Sequence, residues 1–276
     1  MLCGMLALLS ADAALRHAVY AWAVATIACW VLSVVTTNYS QVDRLWSIAP
    51  PLYAIGFAAG EHFTNLRLDF IAVLVTAWGA RLTFNFARKG GYRRGHEDYR
   101  WPILRARLGP VLFQLFNVTF IAPYQNLLLL LITLPCWTAL RARGPLGTLD
   151  LVAATSFIVL LVGETIADRQ QWYFHRDKHA RLARGEVVAS PFLTTGLFRY
   201  SRHPNFFCEI SLWWSVYLVS VAAGAGWLNV SILGPVLLTL LFQGSTTMTE
   251  RVTRSKYPSY AAYQQRTSRL VPMRAG

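Results

Sequence analysis

Residues 149–173 read LDLVAATSFIVLLVGETIADRQQWY, a segment that is apolar over most of its length and carries two carboxylates towards its end. As a helix, this segment is long enough to cross about 30 Å of hydrocarbon. Further apolar segments occur along the chain at 18–36, 45–60, 68–87, 110–140, 206–225 and 227–248. The sequence therefore predicts an all-α, polytopic membrane protein, with residues 1–276 forming a single integral membrane domain.

The amino-acid composition also indicates a membrane protein. Hydrophobic residues make up 55% of the chain and charged residues only 14%, whereas soluble domains carry about 25% charged residues. Aromatic residues, at 13%, are too abundant for a disordered chain. The four cysteines lack paired spacing, which argues against a disulfide framework and against a metal site.

The formal net charge of +13 is concentrated in particular loops. Lysine and arginine cluster in three regions that flank apolar segments, at 88–107, 169–202 and 251–274. Cytoplasmic loops of membrane proteins carry such an excess of basic residues. Since no recognised nucleic-acid module accompanies the charge, we expect no nucleic-acid partner. The expected location is a bacterial inner membrane or, in a eukaryote, the endoplasmic reticulum.

The basic regions also predict the number of crossings. If the basic loops 88–109 and 169–205 both face the cytoplasm, an even number of crossings separates them, which makes 110–140 one crossing despite Pro123 and Pro135. Seven crossings follow, with the N-terminus outside and the C-terminus in the cytoplasm.

Some features fit this topology less well. The 45–60 segment is short and contains Pro50 next to another proline, while Arg141 and Arg143 fall in a short outside loop. Residues 1–10 are apolar but lack the basic region of a signal peptide, so we expect them to begin the mature chain and to lie at the membrane interface.

Ionisable residues within apolar helices are costly to insert and are therefore candidates for function. Glu164 and Asp168 are the strongest, because their i, i+4 spacing places both carboxylates on one helix face, with Gln171 about one turn further. Like charges at this spacing repel each other, which favours a polyhydroxylated or cationic partner, or arginines from a neighbouring loop. The alternative is a carboxylate–arginine pair that only fixes packing.

A second candidate is GLFRYSRHPNFFCE, residues 196–209. Three of its side chains have the chemistry to bind phosphates: Arg199, Arg202 and His203. Pro204 suits the start of a helix whose N-terminal amides add to an anion site. Glu209, one turn inside that helix, should be buried and need a donor. Basic residues that only extend to the interface would explain the arginines but not Asn205 and Glu209.

A third candidate is WGARLTFNFAR, residues 78–88. Arg81, Asn85 and Arg88 recur at helical spacing on one face. For Arg88, the alternative is a topology anchor at the membrane surface. Arg81 lies deeper and is the better ligand candidate.

A fourth candidate is NYSQVDRLWS, residues 38–47. Asp43 either caps the second helix or, together with Tyr39 and Trp46, lines the mouth of a cavity. Tyr99 lies in a separate polar stretch, EDYRW, that follows the third apolar segment.

These residues carry a family resemblance. GETIAD at 163–168, the segment 196–209 and YPSYAAYQQRTSRLVP at 257–272 together resemble the steroid 5α-reductase C-terminal domain family, in particular its bacterial membrane branch. They are also distantly similar to isoprenylcysteine carboxyl methyltransferases. The first resemblance implies a seven-helix membrane fold whose cytoplasmic half encloses NADPH. Helices 1–3 (18–109) would frame the substrate cavity, and helices 4–7 (110–276) would carry the cofactor-binding loops.

The resemblance also implies roles for individual residues. Four would contact the dinucleotide: Asp168, Asn205, Trp213 and Tyr257. Arg81 would lie near its phosphates, and Glu164 stands where the family often has Asn. The predicted cofactor set is completed by Asn85, Arg199, Arg202, His203 and Glu209. Basic donors suit phosphates and carboxylates suit ribose hydroxyls, while the absence of a GxGxxG fingerprint argues against a Rossmann domain.

The chemistry that the resemblance implies is hydride transfer to an activated C=C bond of a lipid or steroid-like substrate. In the steroid reductases, a Gln-Glu pair on the second helix and a Tyr on the third polarise the substrate carbonyl. This chain has no such pair, and Trp78 stands about where that Tyr would be. The acid would then be Asp43, Tyr39 or Tyr99.

Two other functions remain open at the level of sequence. An S-adenosylmethionine-dependent methyltransferase of the isoprenylcysteine or phospholipid type carries a similar Arg-His-Pro segment followed by Glu. A channel or transporter would instead place charged residues along a whole membrane path, whereas the polar groups of this chain gather near the predicted cytoplasmic end.

Overall fold

A computed structural model describes residues 12–188 and 190–273, and within these ranges the chain contains helices and no strands. This confirms the predicted all-α class; residues 1–10 lie outside the described residues. The α-helices are α1 Ala13–Thr36, α2 Gln41–Leu45, α3 Ala49–Ala59, α4 Leu66–Arg88, α5 Arg100–Phe116, α6 Gln125–Ala142, α7 Thr148–Ala183, α8 Pro204–Ser220, α9 Leu233–Lys256 and α10 Tyr260–Arg266. Two π-helical segments, Asn117–Tyr124 and Val221–Ala225, continue α5 and α8.

Six helical segments of the described chain are long and apolar enough to cross a membrane. They are Ala13–Thr36, Leu66–Arg88, Arg100–Ala142, Thr148–Ala183, Pro204–Ala225 and Val230–Lys256. Large apolar side chains such as Val24, Ile27 and Val35 on α1 are mostly exposed, as expected of a helix that contacts lipid. The chain is therefore an integral membrane protein in contact with the bilayer.

The seventh predicted crossing is not confirmed. Residues 45–60 contribute α3, a helix of 11 residues, which spans about 16 Å and falls short of the hydrocarbon core. Pro50 and Pro51 explain where it begins, because proline is tolerated at the first positions of a helix and not in its interior. The predicted sidedness of the termini is likewise not confirmed.

The proline-containing segment 110–140 lies within the helical segment Arg100–Ala142 and follows a break in it at Gly109. Gly109, with φ of 74°, breaks the helical backbone just before Pro110. Pro123 lies within the π-helix, and Pro135 lies within α6. The local change to π-helix accommodates the hydrogen bond that Pro123 cannot donate.

The described helices belong to two compact units. The first comprises Met1–Ala153 and Val216–Pro235, and the second comprises Ala154–Ser215 and Val236–Gly276. These bounds differ from the predicted division at residue 109, and the single-domain organisation stays a prediction. In the first unit, α3 packs against α4 and α6. The fully buried side chains there include Phe57, Val75, Trp78 and Leu128.

The first unit contains an ion pair between α4 and α7. Arg67 at the start of α4 is buried and forms a bidentate pair with Asp150, with Nε and an Nη atom 2.6 and 2.9 Å from the two carboxylate oxygens. Its guanidinium also donates to the carbonyl oxygens of Gly144 and Pro145, each at 2.8 Å. These hydrogen bonds connect the loop at Gly144 and Pro145 to the start of α4.

Gly79 on α4 allows a close approach between α4 and the chain around α3. A Cβ added there would lie 2.5 Å from both the Ser47 carbonyl oxygen and Pro51 Cγ. We expect Gly79→Ala to lower the free energy of unfolding by about 1–3 kcal/mol, since packed helices must separate. Thermal unfolding in detergent measures this.

The matched control is Gly56→Ala on α3, where an added Cβ would meet nothing within 4 Å. It should leave stability unchanged or raise it by about 0.5–1 kcal/mol through the better helix propensity of alanine. Equal melting temperatures for the two variants would show that α3 and α4 do not approach this closely.

Candidate functional site

Both predicted carboxylates of α7 are buried within the second unit. Glu164 is 4% exposed and Asp168 is 5% exposed. The side-chain amide of Asn205 on α8 donates to Asp168 Oδ1 at 3.4 Å. The structure thus brings together two residues that the sequence analysis placed in separate motifs. A carboxylate and an amide side by side present acceptors and a donor to a hydroxylated ligand.

The start of α8 follows the predicted pattern. Pro204 is its first residue. One turn further, the buried carboxylate of Glu209 accepts a hydrogen bond from the Trp213 indole at 3.1 Å. Trp213 is therefore the donor that Glu209 was expected to need, and the pair lies on one helix face at i, i+4 spacing.

Arg202 and His203 have partners within the protein. Arg202 Nε and an Nη atom lie 2.6 and 3.1 Å from the two carboxylate oxygens of Glu250 on α9. His203 Nε2 lies 3.1 Å from the Glu250 Oε1 atom. Gln264 donates to the other carboxylate oxygen at 2.8 Å. These contacts already occupy several of the hydrogen-bond donors of Arg202 and His203. The phosphate-binding role expected for the two residues stays a prediction.

The C-terminal segment lies along the loop before α8. The backbone N–H groups of Arg202 and His203 donate to the carbonyl oxygens of Ser268 and Arg269, at 2.9 and 3.2 Å. The Tyr263 hydroxyl donates to the Phe198 carbonyl oxygen. Arg199, in the same loop, is exposed. The loop that carries the Arg-His-Pro-Asn motif is therefore braced by a segment some 65 residues further along the chain.

Tyr257 begins this C-terminal segment and contacts α7. Lys178 Nζ donates to the Tyr257 hydroxyl at 3.1 Å and lies 4.9 Å from the ring centroid. Two further tyrosines pack on Phe192, with ring centroids 5.0 and 5.6 Å away: Tyr260 and Tyr263. Burial raises the pKa of both phenols, which keeps them neutral.

The remaining predicted residues belong to the first unit. Asn85 on α4 is buried, and its Oδ1 atom accepts from Arg88 Nε at 2.9 Å and from an Nη atom at 2.6 Å. The two side chains therefore lie together, as the helical spacing predicts. Arg81, one turn earlier, is half-buried.

Asp43 does not cap a helix. It lies within the first turn of α2, whose N-cap residue is Ser40. Its carboxylate accepts from the Trp101 indole at 3.0 Å and lies 3.6 Å from the Arg100 guanidinium. Burial raises the pKa of the Asp43 carboxyl above its ordinary value, although Arg100 acts in the opposite direction. Asp43 is thereby suited to hold a proton.

The two tyrosines proposed as acids differ in environment. Tyr39 is buried, and its hydroxyl accepts from Gln114 at 2.6 Å. Tyr99 is exposed. The segments that carry them meet, because the Tyr39 N–H donates to Glu97 at 2.9 Å and the Asp98 N–H donates to Ser40 at 2.8 Å.

Sequence reasoning missed Glu250 and Gln264. Glu250 lies just after the predicted apolar segment 227–248 and next to Arg251, so the criterion that selected Glu164, a carboxylate within an apolar segment, did not include it. Gln264 carries no such signal. In the part of the chain that the structure describes, no group of three or more His, Cys, Asp or Glu residues is placed to hold a metal ion.

The fold and these clusters define an all-α integral membrane protein with buried carboxylates on its helices. Residues 29–267 match the family described as Protein of unknown function (DUF1295), and the chain belongs to that family. Uncharacterized protein C594.04c of Schizosaccharomyces pombe is 39% identical over 258 residues, which cover 88% of this chain and 75% of that protein. No solved structure gives a significant match. The family match includes every candidate residue described above.

Proposed function

We propose that the protein is an NADPH-dependent membrane reductase that transfers hydride to an activated C=C bond of a lipid or steroid-like substrate. The observation that carries this proposal is the contact between buried Asp168 and Asn205, with a second buried carboxylate, Glu164, one turn away. The resemblance to the steroid 5α-reductase family implies that Asp168 and Asn205 contact the dinucleotide, and Glu164 stands where that family often has Asn.

The residues present fit a dinucleotide through its ribose. The Asp168 and Glu164 carboxylates are acceptors for ribose hydroxyls, and the Asn205 amide supplies both a donor and an acceptor. Because Arg202 and His203 are bound to Glu250, we assign the phosphates to exposed Arg199. A role for Arg81 rests on the resemblance alone.

The proposed chemistry needs a proton as well as a hydride. NADPH would supply the hydride. Asp43 is our first choice for the acid because burial raises its pKa, so that it holds a proton at a higher pH than an exposed aspartate. Tyr39, bonded to Gln114, and exposed Tyr99 are the alternatives.

We also propose seven crossings, with the N-terminus outside and the C-terminus in the cytoplasm. The support comes from the basic regions 88–107, 169–202 and 251–274, because cytoplasmic loops carry an excess of Lys and Arg. Since α3 alone is too short to cross, the seventh crossing would include residues on either side of it. Arg141 and Arg143, on the outside in this topology, lie 3.8 Å from Asp12 and 2.8 Å from Glu61.

Ligand-induced stabilisation of the purified protein tests the proposed cofactor. NADPH at 100 times its Kd should raise the free energy of unfolding by about 2.7 kcal/mol, because it binds the folded state alone. We expect S-adenosylmethionine at the same concentration to leave the melting temperature unchanged. A shift with S-adenosylmethionine and none with NADPH would establish the methyltransferase alternative instead.

A further inference from the structure

Glu250 connects three parts of the second unit through its carboxylate. It lies on α9 and is 6% exposed. Its oxygens contact Arg202 at 2.6 and 3.1 Å, His203 at 3.1 Å and Gln264 at 2.8 Å. Because an ionised carboxylate only accepts hydrogen bonds, His203 Nε2 is the donor in its contact. One buried charge thus joins α9, the loop before α8 and the C-terminal segment.

Arg202 extends this connection to the backbone of the C-terminal segment. One of its Nη atoms donates to the Gln264 carbonyl oxygen at 2.9 Å and also to that of Thr267. Its backbone N–H donates to Ser268. Without Glu250, this guanidinium would keep its carbonyl contacts but lose its counter-charge, which is unfavourable in a buried site.

The same cluster directly precedes the residues proposed to bind ribose. His203 is two positions before Asn205, and Pro204 between them begins α8. The Asn205 contact with Asp168 is long, at 3.4 Å, and the terminal torsion of an asparagine side chain is broad. The direction of the Asn205 amide therefore depends on how its backbone is held.

We infer that Glu250 is a positioning residue: by binding Arg202, His203 and Gln264 together, it holds Asn205 opposite Asp168 and keeps the C-terminal segment in place. This inference rests on the proposed NADPH site. The hydrogen bonds of Glu250 described above go to Arg202, His203 and Gln264, so it acts on Asn205 through Arg202 and His203.

The test compares Glu250→Gln with the wild-type protein in two measurements. Glu250→Gln removes the charge but keeps the shape, and we expect it to weaken NADPH binding about tenfold or more, the size of effect seen when residues that orient metal ligands are changed. Trypsin cleavage after exposed Arg266 should be faster than in the wild type, followed by loss of a C-terminal tag. Gln264→Ala, which removes one donor only, should show the same changes to a smaller degree.

Asp150→Asn is the matched control. It disrupts a carboxylate–arginine pair in the first unit, formed with buried Arg67 at 2.6 Å. It should lower the melting temperature to a similar extent but leave the Kd for NADPH and the cleavage after Arg266 unchanged. This comparison separates positioning from general stability.

The outcomes are distinguishable. If the wild-type protein binds no NADPH, the proposed function fails and the positioning role fails with it, while the trypsin arm still reports whether Glu250 holds the C-terminal segment. If the wild type binds NADPH and Glu250→Gln binds it equally well, the inference is wrong and the proposed function stands. An equal loss of affinity in Asp150→Asn would also overturn the inference.

Discussion

Asp168→Ala should weaken NADPH binding by about 10- to 100-fold, which corresponds to the loss of hydrogen bonds to a charged group. The carboxylate is 5% exposed and faces the Asn205 amide. Since it is the acceptor assigned to ribose hydroxyls, its removal leaves those hydroxyls without a partner. Quenching of intrinsic tryptophan fluorescence during titration with NADPH measures the dissociation constant.

Asp177→Ala provides the control on the same helix. The Asp177 side chain is 62% exposed and pairs with Arg181, at 2.8 Å and i, i+4 spacing. Its removal should change neither the affinity for NADPH nor the melting temperature beyond a small amount. If Asp168→Ala and Asp177→Ala bind NADPH with the same affinity, Asp168 is not part of the cofactor site.

Arg67→Ala should have the largest effect on stability, a loss of about 3–5 kcal/mol, because it leaves the Asp150 carboxylate without its partner. The Arg67 side chain is only 6% exposed. It also supplies donors to the Gly144 and Pro145 carbonyl oxygens. Thermal or denaturant unfolding in detergent measures the loss.

Arg143→Ala is the control for Arg67→Ala, because it removes an arginine whose ion pair is exposed to solvent. The Arg143 side chain is 68% exposed, and its contact with Glu61 is 2.8 Å, so the pair is screened by solvent and should contribute less than about 1 kcal/mol. A loss in Arg67→Ala no greater than that in Arg143→Ala would contradict the buried environment of Arg67.

The helical fold could be predicted because membrane-spanning helices have a strong sequence signal. Long apolar segments such as 149–173 correspond to long helices. The 45–60 segment was predicted less well, since mean apolar character does not show where a helix begins and Pro50 and Pro51 shorten it. Arg143 shows a second limit of prediction from sequence. Its charge could be counted in a loop, but its pairing with Glu61 could not be predicted.

In the candidate site, some contacts between side chains could be predicted from the sequence and others could not. Contacts within one helix follow from its 3.6-residue period, so the Asn85–Arg88 and Glu209–Trp213 neighbours could be predicted from spacing. Contacts between distant segments could not. Nothing in a single sequence shows that Glu250 lies against Arg202, or that Asp43 accepts a hydrogen bond from Trp101.

A structure determined with NADPH at saturating concentration tests the proposed cofactor site most directly. The predicted result is a ribose of bound NADPH within about 3 Å of the Asp168 carboxylate, with the Asn205 amide in contact with the same ribose or with Asp168. The contradicting result is NADPH bound away from Asp168, or a second unit that binds S-adenosylmethionine and no NADPH.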